Sequence, residues 1–533
     1  MAEAQVQTSV FTPNRGYATD LAPMTRGLDF LVRAENLTYE VNGSARKIGG
    51  ETKINSTAIT SSPDVVGMFD FWYSGGSSVA TQKYVVVTGD GKVYKDDMDG
   101  TFDDITGAAS ISANTIPVFC QFNDLLTIWF STGEAPLKWA QSGNVASLGG
   151  TPPVGRVATV YANRLWVAGV NSSPSRLYYS AYGDPETWTG EDAGALDIDT
   201  EDGDRITGLA AFKGALLVFK GPYKGTIYVV TGSTITGTDS FGKHILNRGI
   251  ALQTHNSIVS VGDDLWFMSD QGIHSIQATD RFGDFANTYL SRFLRGHFRD
   301  KINRTRLNRV WGVNDTDRGQ ALWVYTASGS SENDRTLGLS YNRLEEDGLK
   351  ALTWTRGGIS AAIRINPGNS FREVVFGSTD GFCRREQVSD RSIDASTGYT
   401  FRLTTPQIIL GNQDKEGRPK GDLPITLYDF YVRMHPRTTG DLTVNITRDN
   451  QASQSYTITH NTVGSLWGTG VFGTATFGGG TLQTGYVSDI GLSGQCRAVT
   501  IDLQQGGANQ DVEIFEMGIK SVPAAETRAP TVL

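Results

Sequence analysis

The chain has 533 residues, and its 47 Lys and Arg stand against 56 Asp and Glu, which gives a net charge of -9 and a pI of about 5.3. That balance excludes a protein that grips nucleic acid by bulk charge, because counterion displacement needs a basic face. Sixty-two glycines, 10% aromatics and only 19% charged residues exclude a long-helix or disordered chain and suit short strands joined by tight turns.

Residues 1–27 are polar and punctuated by Pro and Gly, and read as an N-terminal arm without the apolar core of a signal peptide. No run of about 18 apolar residues follows anywhere, so no membrane span is expected. The stretch LDFLVRAENLTYEVNGSARKIGG (28–50) holds an Asn42-Gly43 turn between two extended runs, which predicts a hairpin.

From there a strand pattern recurs. Its runs are KYVVVTGDGKVYK (83–95), LLTIWF (125–130), RLWVAG with RLYYSA (164–181), ALLVFK with GTIYVV (215–230), DLWFMSDQGIHSI (264–276), ALWVYTA (321–327) and EVVFGSTDGFCRRE (373–386). All are rich in Val, Ile, Tyr, Trp and Phe, which fit a pleated surface. A comparable turn follows three of the apolar strands, at Asp90-Gly91, Asp270-Gln271-Gly272 and Asp380-Gly381. Strand groups starting roughly 40 to 60 residues apart are the pattern of propeller blades, which must stack to cover their faces. The spacing predicts a β-propeller-like domain of six or seven blades over 28–396.

One segment breaks the strand pattern. ANTYLSRFLRGHFRDKI (286–302) sets Tyr289, Leu290, Phe293, Leu294 and Phe298 at helical spacing, which predicts one short amphipathic helix. Its basic residues Arg292, Arg295 and Arg299, with Lys301, Arg304, Arg306 and Arg309 beyond, form either a solvated face or a contact with an acidic neighbour.

Residues 397–521 alternate in the manner of antiparallel strands and predict a separate C-terminal β-sandwich, followed by a tail at 522–533. Within it, the Gly-rich stretch 464–480 reads as a long loop with Trp467 and Phe472 as aromatic tips. Such tips suit a subunit contact or carbohydrate stacking. Arg292, Arg295, Arg299, Trp467 and Phe472 are therefore the candidate subunit-interface residues.

Chemistry is hard to place on this chain. The acidic loop with Asp197, Asp199, Glu201, Asp202 and Asp204 fails the EF-hand test, since loop positions six and twelve hold Asp202 and Gly208 instead of Gly and Glu. It reads as a solvated loop, with a loose Ca2+ site as the alternative. The three cysteines, Cys120, Cys383 and Cys496, form no CxxC pair and read as small buried hydrophobes in a reducing compartment. No two of the six histidines stand three to five residues apart, and no nucleophile elbow, zinc-protease motif or Walker loop is present. GPYKGT (221–226) lacks the Walker spacing and reads as a hairpin turn. The turns SDQG (269–272) and STDG (378–381) are similar to the hairpin device of propeller glycosidases, but nothing singles out the carboxylate pair or Tyr nucleophile such catalysis needs. No catalytic, cofactor-binding or metal-binding residue is assigned, and the chain reads as a structural protein without enzymatic activity.

The stretch ANRLWVAGV (162–170), SRLYYSAYGDPETW (175–188) and DGDRITGLAAFKGALLVFKG (202–221) resembles a segment of the tail hub or nozzle proteins of short-tailed bacteriophages, also called tubular tail protein B or packaged-DNA stabilisation proteins. ARKIGG (45–50), GYTFRLTTPQIILG (398–411) and VEIFEMGIKSV (512–522) are similar to the two ends of that family. The resemblance implies a β-propeller-based subunit of a homo-hexameric ring below the portal and adaptor proteins. It further implies a conduit for double-stranded DNA, a gate that retains the packaged genome, docking points for tail fibres or a spike, and a place in the virion tail after synthesis in the host cytoplasm. This chain is shorter than the largest nozzle proteins, so a separate fibre-docking insertion is not expected in it. The alternatives are a host-receptor or glycan-binding tail adhesin and, behind it, a propeller glycosidase.

Overall fold

The computed structural model describes residues 7–20, 29–76, 80–199, 201–278, 285–356, 358–365, 372–386, 391–394, 396–409, 425–449, 451–460, 483–487 and 495–523. The chain forms two compact units. One comprises Lys53–Leu337 and Arg356–Glu386; the other comprises Met1–Thr52, Gly338–Thr355 and Gln387–Leu533.

The first unit is a seven-bladed β-propeller. Among the described residues, seven innermost strands begin the blades in turn: Val65–Tyr73, Pro117–Phe122, Val157–Tyr161, Arg205–Phe212, Val259–Val261, Trp311–Asp315 and Ile359–Ile365. Each pairs antiparallel with the strand that follows it, and the first five blades are four-stranded meanders. The second strands are Thr81–Thr88, Leu125–Phe130, Arg164–Ala168, Ala215–Gly221, Asp264–Met268, Gln320–Tyr325 and Glu373–Ser378. These match the seven apolar runs of the sequence one for one.

The physical reason is burial on both faces. In Thr81–Thr88, Val85 and Val87 pack with Leu126, Ile128 and Trp139 of the second blade. Tyr84 and Val86, pointing the other way, pack with Val375 and Cys383 of the seventh. The fourth blade repeats the device: Leu216 and Val218 join Trp166 and Leu177 of the third blade, and Leu217 and Phe219 join Leu265 and Phe267 of the fifth. A strand with period-two side chains and a neighbour on each side needs apolar residues throughout. The core is thus a series of layers between blades.

The ring is closed within this unit. Ile54 N donates to Cys383 O at 2.7 Å, Asn55 Nδ2 donates to Gly381 O at 3.0 Å, and Asn55 Oδ1 accepts from Cys383 N at 2.8 Å. The turn glycines support the same repeat. A Cβ on Gly91 would meet Ile111 O at 2.3 Å, in the segment leading into the second blade, and one on Gly381 would meet Ser62 Cα at 2.8 Å, in the segment leading into the first. Both have positive φ, at 80° and 77°, so Gly is required there twice over.

The second unit is a two-sheet β structure. In one sheet, the long strands Ile425–Pro436 and Val512–Pro523 pair antiparallel, flanked by Gln7–Phe11 and by the hairpin Leu37–Tyr39/Ala45–Lys47. That hairpin turns at Asn42-Gly43, as expected, with Asn42 Oδ1 accepting from Ser44 N at 3.0 Å. In the other, Arg33–Glu35, Phe401–Thr404, Ala498–Gln505, Gly440–Arg448 and Gln454–His460 lie side by side. Trp354, fully buried, links the sheets by donating its indole N–H to Leu37 O at 2.9 Å. The division differs from a cut at 396/397, because segments 1–52 and 338–355 belong to this unit. The arm does not stand free either: Gln7–Phe11 runs along Met517–Ser521. The loop 464–480 and the tail from 524 onward lie outside the described residues.

The expected helix over 286–302 is shorter than its spacing predicts. Phe285–Tyr289 is the outermost strand of the fifth blade, paired with Ile273–Ala278, and only Arg295–Asp300 is helical. Pairing with an exposed sheet edge overrides a helical pattern of modest propensity. A second helix, Leu344–Asp347, is a single turn. Neither is long and apolar enough to cross a membrane, and no other described helix is.

Candidate functional site

Leu294 and Phe298 anchor the short helix in the core, and Arg292, Arg295 and Arg299 are all left exposed. Arg292 lies over Phe293 at 4.6 Å, Arg295 over Tyr289 at 5.7 Å, and Arg299 pairs with Asp300 at 2.8 Å. The three cations therefore share one short surface segment, whereas Trp467 and Phe472 lie outside the described residues.

The acidic loop is not open for a ligand. Asp197 pairs with Arg176 at 2.6 Å, Asp199 Oδ2 accepts from Tyr228 OH at 2.9 Å, and Asp202 Oδ1 accepts from Lys220 Nζ at 2.6 Å. Asp204 takes three backbone N–H groups, those of Tyr223, Lys224 and Gly225, at 2.9, 2.8 and 2.7 Å. Lys220 is fully buried, and also donates to Ser175 Oγ and to the carbonyls of Ile198 and Asp199. The four aspartates thus face separate partners within the chain, while Glu201 is exposed. Among the described residues no group of three or more His, Cys, Asp or Glu could hold a metal ion.

The segment 162–221 forms the outer three strands of the third blade and the first two strands of the fourth. Its charged residues are similarly engaged. Arg164, 3% exposed, donates to Asp192 Oδ1 at 2.6 Å and to Ser180 O at 3.0 Å. Asp184 caps the turn that follows by accepting from Glu186 N at 2.9 Å and Thr187 Oγ1 at 2.7 Å. Glu186 pairs with Lys138 of the second blade at 2.7 Å. The motif holds blades together.

The balance of charge differs on the propeller axis. At the end where the innermost strands begin, a cup of about 490 Å3 is lined by Arg156, Arg205, Arg306 and Arg309, with Gln253 and His255 among its polar neighbours and no carboxylate in its lining. A second space of about 610 Å3 continues along the axis with walls that include Met68, Phe119, Leu209 and Trp311, and His255 and Asn256 line both. Burial pushes the His255 imidazole down to about 4, so it is neutral and adds no charge.

Sequence reasoning found half of this set without its meaning. Arg306 and Arg309 belong to the basic run, and the 3-10 turn Arg304–Arg309 brings them to the axis while Arg292, Arg295 and Arg299 stay on the surface. Arg156 and Arg205 passed unnoticed because each is a lone cation in sequence. The signal that could have found them is position, for each stands at or just before the first residue of an innermost strand.

Cys120, Cys383 and Cys496 are free and buried, as expected of small apolar residues, and burial pushes the Cys120 thiol up to about 12.

No protein-family model matches the chain, and no curated protein sequence matches it. Among solved structures, the fold is similar to the β-propeller domain of Cps50 (Swd1) from Myceliophteria thermophila, at 11% identity and a TM-score of 0.40, covering 63% of this chain and 100% of that one. It is also similar to YCF48 bound to D1 peptide, at 12% identity and a TM-score of 0.38, covering 64% and 95%. At these identities the likeness concerns the fold alone.

Proposed function

We propose that this protein is a structural subunit of a short-tailed bacteriophage tail nozzle or hub, assembled as a homo-hexameric ring in the virion tail. The ring forms a conduit for double-stranded DNA and a gate that retains the packaged genome until ejection. The observation that carries the reading is the segment 162–221, whose resemblance to the nozzle family falls on residues that brace one blade and tie it to the blade before it. A seven-layer closed ring of such blades resists shear, as the wall of a pressurised conduit must. The net charge of -9 gives a passing polyanion no general hold.

In this reading six copies close by rotation through heterologous contacts. An adaptor ring lies on one side and fibres or a spike on the other. Inward loops act as a two-state gate. Arg292, Arg295 and Arg299, exposed together, meet an acidic neighbouring subunit. No chemical step is involved.

Mass photometry of the purified chain, alone and with adaptor protein, tests the reading. A six-copy ring is expected with adaptor present, and a lasting monomer under both conditions rejects it. Replacing Arg292, Arg295 and Arg299 together by Glu is expected to abolish the ring, and normal assembly would remove them from the interface.

A further inference from the structure

The axial cup is an unbalanced site. Arg309 is compensated by Glu332, at 2.6 Å. Arg205 and Arg306 have no ion pair or side-chain hydrogen bond among the described residues. Arg156 donates to Ser131 O and, at 2.8 Å, to Asn171 Oδ1, but its buried Nε has no partner. Desolvation, and then the nearby Arg205 charge, lower the Arg156 pKa from its ordinary value. Gathering like charges around one cavity is unfavourable, and a guanidinium cannot escape by losing its proton. Structural arginines elsewhere in this chain are paired, as Arg164, Arg318 and Arg356 are. A concave site in which exposed Arg205 and half-buried Arg306 have no such partner, and Arg156 has neutral acceptors but no carboxylate, is suited to an anion that arrives from outside.

We propose that this cup binds a small multivalent phosphate of the pyrophosphate class. A volume of about 490 Å3 lies in the range of small-molecule sites, roughly 300–1,000 Å3, and is too small for a nucleic-acid duplex. Three guanidiniums without a carboxylate partner call for a compact ligand of comparable negative charge, which a monocarboxylate does not supply. Planar guanidinium forks match phosphate oxygens in pairs. Gln253, whose Nε2 donates to Pro222 O at 3.2 Å, and neutral His255 complete the polar wall. The proposal stands on the cup alone and is independent of the tail reading.

Isothermal titration of the full chain with sodium pyrophosphate in low-salt, phosphate-free buffer tests it. One site per chain is expected. Arg205→Gln and Arg306→Gln should each weaken binding roughly tenfold to a hundredfold, the scale of one charge-assisted hydrogen bond. Arg292→Gln, on the surface, should leave it unchanged. Thermal melting separates loss of the site from loss of the fold. Wild type should gain Tm with pyrophosphate, and without it Arg205→Gln should melt at or above wild type because a repulsion has been removed. No binding by wild type, undiminished binding by Arg205→Gln and Arg306→Gln, or a lower anion-free Tm for Arg205→Gln would each overturn the proposal. Tighter binding of citrate than of pyrophosphate would overturn the phosphate assignment.

Discussion

The acidic loop at 197–204 and the arginine cup on the propeller axis are opposites in more than sign. The loop concentrates charge along the sequence, and its aspartates are spoken for, by Arg176, Tyr228, Lys220 and three backbone N–H groups. The cup draws its four arginines from three places in the chain, and leaves Arg205 and Arg306 without an ion pair or side-chain hydrogen bond among the described residues. A run of like charge therefore marks a place where the fold has had to supply counterparts. A free charge arises where topology gathers residues that are unremarkable one at a time. Binding capacity follows pairing rather than density.

The sharpest way to break that contrast is to remove a counterpart from the loop. Lys220→Met leaves Asp202 11% exposed and without its ammonium, and should destabilise the chain by about 3–5 kcal/mol in chemical denaturation. A change below about 1 kcal/mol would make the loop a solvated one after all.

Histidine is a third case, a buried base that sheds its charge. Burial holds His274 and His297 down at about 4. Between that value and the unfolded one near 6.5 the unfolded chain binds more protons, so their contribution is complete above about pH 6.5 and is lost as pH falls toward 4. The expected loss is about 3 kcal/mol per histidine. His274 stacks on Phe267 and lies tilted against Tyr289, and His274→Phe should flatten part of that acid limb in melts taken across pH 4 to 7.

Smaller effects test the exposed pairs. Arg176→Gln breaks a pair that is 45% and 51% exposed, and should change stability by less than about 1 kcal/mol. The triple change of Arg292, Arg295 and Arg299 to Gln should move the monomer melt by about 0.5 kcal/mol or less per site. A larger loss would mean that these cations support the fold, and any assembly defect would then no longer report an interface.

Much of the fold was legible because the second strand of every blade is covered on both faces. RLWVA at Arg164–Ala168 and ALLVFKG at Ala215–Gly221 are buried throughout, so they stand out as unbroken apolar runs. The innermost strands were missed for the complementary reason. Val157–Tyr161 and Trp311–Asp315 mix buried and half-buried positions, which gives them no continuous apolar signature. At 286–302 the same logic failed, because Tyr289 and Leu290 satisfy a helical spacing by accident while the preceding strand claims the edge of a sheet. The cup as a site was illegible: Arg156, Arg205 and the pair Arg306 and Arg309 are separated by tens of residues, and only closure of the ring makes them neighbours.

That closure has a consequence for biogenesis. Asn55 meets Gly381 across 326 residues of chain, a contact of very high sequence separation. Until the seventh blade leaves the ribosome, the first keeps one apolar layer, that of Tyr84 and Val86, without its cover. Contacts of this range form late, after the entropy of a long loop has been met. The nascent propeller therefore passes through a stage with an open flank at each end, where two incomplete chains could join edge to edge, and chaperone demand should peak just before synthesis of the last blade.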